Sequence, residues 1–214
     1  MEVQNHGVLF EDSVIRAITG LSKDEYQKKL ENAYTASMDV VKDVESDANY
    51  SVKVSKDGKS IGCGDILRFI QHCRDTEFVM VVGAWRQITP EVKRYDCIYE
   101  FKICPEHYEK LWGGIRESDV KPFVEYVKAI EEGKTAQLAH RQEWKLRRQK
   151  IYDDRGRGLC AIDAKIDSKK QRRVQCSIKI EELIESGIEY IKYETEYKGI
   201  KLPYEQTSSP RQFS

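Results

Sequence analysis

No apolar run in this chain reaches the ~18 residues that a membrane-spanning helix needs. The N-terminus, MEVQNHGVLFED, has no basic stretch leading into an apolar one, so no secretory signal peptide is expected. There is no Cys-x-x-Cys pair. The six cysteines stand apart at positions 63, 73, 97, 104, 160 and 176, which suits reduced thiols and a cytoplasmic location. His72 with Cys63 and Cys73, and His107 with Cys97 and Cys104, match no standard zinc spacing and read as core or surface residues. There is no internal repeat. Net charge is also missing, since 36 basic residues balance 36 acidic ones, and this excludes a globally basic polyanion binder.

The charge that is present is concentrated. Between Lys134 and Arg173 stand thirteen basic residues against five acidic ones, an excess of eight positive charges that the rest of the chain offsets. One basic face on an otherwise acidic body suits a polyanion-binding surface, and equally a solvated, ion-paired helix face. At 214 residues and 40% hydrophobic content the chain can bury one core.

Periodicity predicts helix from about Val8 to Ala33, in two pieces around Gly20, with Phe10, Val14, Ile15 and Ile18 as its apolar stripe. Ala36–Val44 and Tyr50–Ser55 read as two strands of a hairpin turning at Asp47-Ala48-Asn49. Ser60 is expected to cap a helix over Ile61–Arg74. Phe78–Trp85 reads as a strand buried on both faces, and Arg94–Cys104 as another, ended by Pro105. Helices follow over Glu106–Trp112, over Asp119–Glu132 capped by Ser118, and over the basic stretch Thr135–Tyr152. After a loop at 153–158, Leu159–Ile166 and Arg172–Ile180 form a second hairpin, and Glu181–Ser186 a short helix. Trp85, Trp112 and Trp144 read as packing anchors. The expected fold is α/β: a mixed central sheet flanked by helices, with a C-terminal β-hairpin addition. It is expected as a single domain over 1–204, with a polar tail at 205–214.

Alternation along Ser51-Val52-Lys53-Val54 sends Ser51 and Lys53 one way and the valines into the core. Hairpin pairing would bring Asp39 near both. A carboxylate there can bind Mg²⁺, which takes hard oxygen ligands and keeps several waters. A neighbouring lysine can hold the water that attacks a phosphodiester and stabilise charge on the phosphate. Glu11 adds a second carboxylate if its helix packs over the strand ends. Each of these residues taken singly also reads as a cap or a solvent-facing side chain.

Gly7-x-x-Phe10-Glu11 in a first helix, Asp39-Val40-Val41 opening a strand, and Tyr50-Ser51-Val52-Lys53-Val54-Ser55 as the next strand, followed directly by a helix, form one ordering. This ordering resembles the PD-(D/E)xK nuclease superfamily and, within it, the small type II restriction endonucleases. Ala164 to Ile178, ahead of Glu181-Glu182-Leu183-Ile184-Glu185-Ser186, is similar to the strand-turn-strand that reads DNA in small four-base cutters. The resemblance covers roughly residues 7–75 and 159–186. It departs from the pattern at Ser51, which holds the slot of the second acidic residue, and in having no proline before Asp39.

The resemblance implies a restriction-endonuclease-like domain with its catalytic core at about 7–104 and a basic helix and DNA-reading hairpin at about 134–180. It implies Mg²⁺-dependent cleavage of double-stranded DNA at a short specific site. Asp39 and Glu11 would hold the metal, Lys53 would position the attacking water, and Ser51 would occupy the variant slot. DNA contacts would come from Lys165, Lys169, Lys170, Gln171, Arg172, Arg173 and Gln175, with Arg141, Lys145, Arg147 and Arg148 on the phosphates. The implied partners are a companion DNA methyltransferase and, beside a monomeric form, a second copy in a homodimer. Two other readings stand: a structure-selective repair or junction nuclease of the same superfamily, and a DNA-binding regulator without catalysis.

Overall fold

A computed structural model describes residues 5–30, 38–43, 46–131, 139–166 and 171–207. It has an α/β architecture with a mixed central sheet flanked by helices. The chain divides into two compact units, each assembled from separate stretches of sequence, and this is why no composition shift marks a boundary between them. The first comprises Met1–Ile61, Glu77–Ile103 and Gly187–Ser214, and the second Gly62–Thr76 and Cys104–Ser186.

In the first unit, helix α1 (Asn5–Thr19) buries the expected Phe10, Val14 and Ile15. It stops at Gly20, whose φ of +76° is open to glycine at little cost, and Ser22 caps α2 (Lys23–Lys29) with a reciprocal Ser22–Glu25 capping box. The central sheet runs β1 (Tyr50–Lys56), β3 (Phe78–Gln87), β4 (Val92–Ile103), β10 (Tyr204–Thr207), with β7 (Tyr190–Tyr193) on the other half of β4. β1 and β3 are parallel and the remaining pairs antiparallel. The Phe10 ring lies on Gly83 of β3, where a Cβ would sit 2.5 Å from it, and stacks on Tyr95 at 4.5 Å. A small hairpin, β8 (Glu196–Tyr197) and β9 (Ile200–Lys201), buries Tyr197 in the same core.

The second unit holds most of β2 (Ser60–Asp65), α3 (Ile66–Asp75), α4 (Tyr108–Trp112), α5 (Glu117–Lys128), α6 (Arg141–Arg155), β5 (Ala161–Ile166), β6 (Arg172–Lys179) and α7 (Ile180–Glu185). Its sheet has the order β2-β6-β5, and α5 packs on β6. Val174, Cys176 and Ile178 are buried as alternation requires, and Ile180, expected as the last residue of that strand, is buried as the first residue of α7. Trp112 is a buried anchor, whereas Trp144 is only half-buried, with the Arg148 guanidinium 5.0 Å over its ring.

Several expectations are corrected. Of the strand expected over Ala36–Val44, residues 38–43 are described, and they form a single bridge, Val40 to Tyr50; the ends of that stretch lie outside the described residues. Ser60 begins strand β2 instead of capping a helix, and the helix starts five residues after Ile61, with Asp65 as its N-cap accepting from the Arg68 N–H. α5 begins at Glu117, where Asp119 accepts from the Arg116 N–H, and Ser118 lies inside the helix. Asp153 to Arg155 belong to α6, not to a loop. The β5–β6 pair is part of a three-stranded sheet and not a two-stranded ribbon. Glu205, Gln206 and Thr207 pair with β4 instead of fraying, and Gln206 is buried.

Candidate active site at the β1 edge

β1 is the edge strand of the central sheet, so one row of its backbone groups needs partners from outside the sheet. The Val52 N–H finds the carboxylate of Asp39, at 2.6 Å from Oδ2. The Val52 carbonyl accepts from the ammonium of Lys53 at 3.0 Å, and the same ammonium stands 3.4 Å from Asp39 Oδ2. Lys53 thus turns back over the strand edge, and Asp39 is brought to it although its segment is not a strand.

That segment is held by many small contacts. The Asp39 and Val40 N–H groups donate to the Tyr50 carbonyl at 2.9 and 3.1 Å, and the Tyr50 N–H returns a bond to Val40 at 2.7 Å. The buried Tyr26 hydroxyl on α2 accepts from the Val41 N–H at 3.1 Å, and Asn49 Oδ1 accepts from the Lys42 N–H at 2.9 Å.

Glu11 comes from α1. Burial pushes its carboxyl above the ordinary range, the nearby Asp39 carboxylate adds to that push, and Lys23 and Lys53 pull the other way. Three of the expected residues, Glu11, Asp39 and Lys53, therefore share one electrostatic neighbourhood. Lys23, which sequence reasoning missed, is its fourth charge, with the Nζ 2.8 Å from Glu11 Oε2. Its backbone N–H donates to Asp12 at 2.7 Å, which docks the start of α2 onto α1 beside Glu11. The signal was available: Ser22-x-x-Glu25 after Gly20 marks a helix start with Lys23 in its first turn. Ser51 lies on β1 in a buried position, 7% exposed, a setting that suits a hydroxyl better than a carboxylate.

Two mutually repelling carboxylates present hard oxygen atoms that suit a divalent cation. Among the described residues they are not part of a group of three or more His, Cys, Asp or Glu able to hold a metal. Such a two-carboxylate site fits a cation that retains most of its waters, as Mg²⁺ does, better than a dedicated protein cage. The buried cysteines of the second unit form no such group either. Burial pushes the Cys73 thiol up to about 12, so it stays protonated and a poor nucleophile.

The basic residues of the second unit fall into two sets. Arg172 donates to the carbonyls of Ile130, Glu131 and Gln171, and Arg148 to the Ile162 carbonyl and Asp163, so both tie backbone elements together. Arg147 is paired with Glu143 at 2.7 Å and lies over Tyr126. Arg141 is exposed, and Lys145 and Lys165 are half-buried; among the described residues these three form no ion pair. Arg173 faces Lys165 across the β5–β6 pair, and Gln175 faces Asp163, all on the side opposite the buried residues. Gln171 begins β6's approach, and Lys169 and Lys170 lie outside the described residues. Comparison of the chain with protein-family models, curated proteins and solved structures finds no match.

Proposed function

We propose that the protein is a Mg²⁺-dependent endonuclease of restriction-endonuclease-like fold that hydrolyses double-stranded DNA at a short specific site. The observation that carries this reading is the meeting of Asp39 and Lys53 at one strand edge, with Glu11 of α1 near enough for both of their charges to act on its carboxyl. Asp39 and Glu11 would hold the cation. When bound, that cation supplies Lewis-acid polarisation of the phosphoryl group and a more acidic attacking water.

The chain's own contribution is placement. Asp39 is fixed by the Val52 N–H, and Lys53 by the Val52 carbonyl, so neither depends on substrate for its position. The Lys53 ammonium can donate to the incoming water or to a phosphoryl oxygen as negative charge grows there. Water adds to phosphorus, one ester oxygen leaves, and a proton passes to that oxygen. Arg173 and Gln175 have the side-chain types that pair bidentately with guanine and adenine in the major groove. Arg141 and Lys145 suit phosphate contacts, which position the protein without specifying sequence.

Plasmid DNA incubated with the protein and Mg²⁺ tests this. Discrete bands that vanish with EDTA are the expected result. A smear or nicking indicates the structure-selective nuclease, and intact plasmid with retained DNA binding indicates the regulator.

A further inference from the structure

We propose that Lys23 is a built-in counter-ion of the candidate cation site: its ammonium holds Glu11 when no cation is present and must leave Glu11 for a divalent cation to take that carboxylate. The inference rests on the nuclease reading and adds to it a residue and an exchange step. Lys23 Nζ is 2.8 Å from Glu11 Oε2, and both side chains are about one-fifth exposed. The pair is therefore reachable by a small hydrated ion yet shielded enough to be more than a surface contact.

The architecture gives Lys23 this place independently of any catalytic role. The capping box of Ser22 and Glu25 starts α2, and Asp12 accepts from the Lys23 N–H, so the lysine stem leaves the backbone beside Glu11. Two carboxylates, Glu11 and Asp39, would repel each other without a cation, and Lys23 and Lys53 provide positive charge for each. Lys53 is additionally tied to the Val52 carbonyl. Lys23's one described side-chain partner is Glu11, so it is the ammonium that can swing away without uncovering a backbone group.

Mn²⁺ titration of the whole chain without DNA, followed by electron paramagnetic resonance, reads the exchange directly. Lys23→Met should tighten Mn²⁺ binding by about five- to tenfold, the scale of a partly shielded ion pair. Lys23→Arg, which keeps the pair, should bind as the wild type does. In a Glu11→Gln background the gain from Lys23→Met should disappear, because the gain acts through that carboxylate.

A gain that persists in Glu11→Gln would be a general charge effect and would overturn the proposal, as would equal affinity of wild type and Lys23→Met. Either result leaves the nuclease reading intact if Asp39→Asn still abolishes Mn²⁺ binding. Binding indifferent to Asp39→Asn removes both. Lys23→Gln, which keeps the aliphatic stem, carries the same test if Lys23→Met lowers the melting temperature.

Discussion

Carboxylates and cations stand side by side in both units, but they serve different ends. In the first unit, Asp39 and Lys53 are about three-quarters buried, and each is bonded to the backbone of Val52 as well as to its partner. In the second, Arg147–Glu143 and Lys150–Asp154 are exposed pairs one helical turn apart on α6. Pairs of the second kind contribute about 0.3–0.5 kcal/mol each, are screened by salt, and can be rearranged when a polyanion arrives. A pair of the first kind is positioned in advance and is part of how the strand edge is closed. The lesson is practical: on α6 the members of these exposed pairs can be truncated at little cost to the fold, whereas at the β1 edge only shape-preserving substitutions spare it.

The sharpest way to break that contrast is at Asp39. Asp39→Asn keeps an oxygen that can accept from the Val52 N–H but removes the charge. Cleavage should fall by about 10²-fold or more, the scale on which single preorganised electrostatic contacts act, with little change in urea stability. Lys53→Met should lower cleavage on the same scale and, because it uncovers the Val52 carbonyl, also cost some stability. Asp39→Ala should in addition lower stability by about 1–3 kcal/mol, because a backbone donor loses its partner. Near-wild-type cutting by Asp39→Asn would leave Asp39 as a strand-edge cap and nothing more.

That double role was only half visible in the sequence. The apolar run of β3 and the stripe Phe10, Val14, Ile15 come from one-dimensional periodicity, and both appear in the structure, whereas the alternation expected along β1 does not: Ser51 is as buried as Val52, and Val54 is no more buried than Lys53. The position of Asp39 does not come from periodicity. A lone bridge held by Tyr26 and Tyr50 has the same local residue pattern as a strand, and only the long-range partners decide between them. β2 is hidden because Ser60 has the chemistry of an N-cap and the apolar Ile66, Leu67, Phe69 and Ile70 follow it closely, so the helix reads as starting early. Gly62 and Gly64, the latter at φ +85°, argued against it. The polar residues 205–207 gave no sign of a strand, since β10 is specified by the backbone groups of β4 and by burial of Gln206. Ser51 was placed on the right strand, but its burial depends on packing that alternation does not report.

Smaller effects sharpen the comparison within the second unit. Arg173→Ala or Gln175→Ala should reduce the preference for the cognate duplex over a one-base variant by roughly tenfold, the value of one bidentate base contact. Lys145→Ala should weaken binding to all duplexes alike and reduce the salt slope by about 0.9. Arg148 belongs with the fold, since its guanidinium joins α6 to β5 through the Ile162 carbonyl and Asp163. Competition binding with cognate, near-cognate and random duplexes at two salt concentrations separates these outcomes. Equal losses on all three duplexes for Arg173→Ala and Gln175→Ala would make this face a phosphate clamp and move base reading elsewhere.

The smallest effect is expected at Ser55, on the same side of β1 as Lys53 by strand alternation. Ser55 is 1% exposed, and its hydroxyl has no hydrogen-bond partner among the described residues. A buried hydroxyl in that state loses its water without replacement, so deleting it removes a penalty along with a few van der Waals contacts. Ser55→Ala should therefore change urea stability by no more than about 0.5 kcal/mol, in either direction, and leave cleavage untouched. The contrast with Asp39→Ala is the point of the measurement: one polar side chain is bonded to the backbone of β1 from outside the strand, and the other lies on β1 with no bond among the described residues. A loss above about 1 kcal/mol in Ser55→Ala would show that its hydroxyl is satisfied after all, by an ordered water, and that the polar network at the β1 edge extends beyond Asp39 and Lys53.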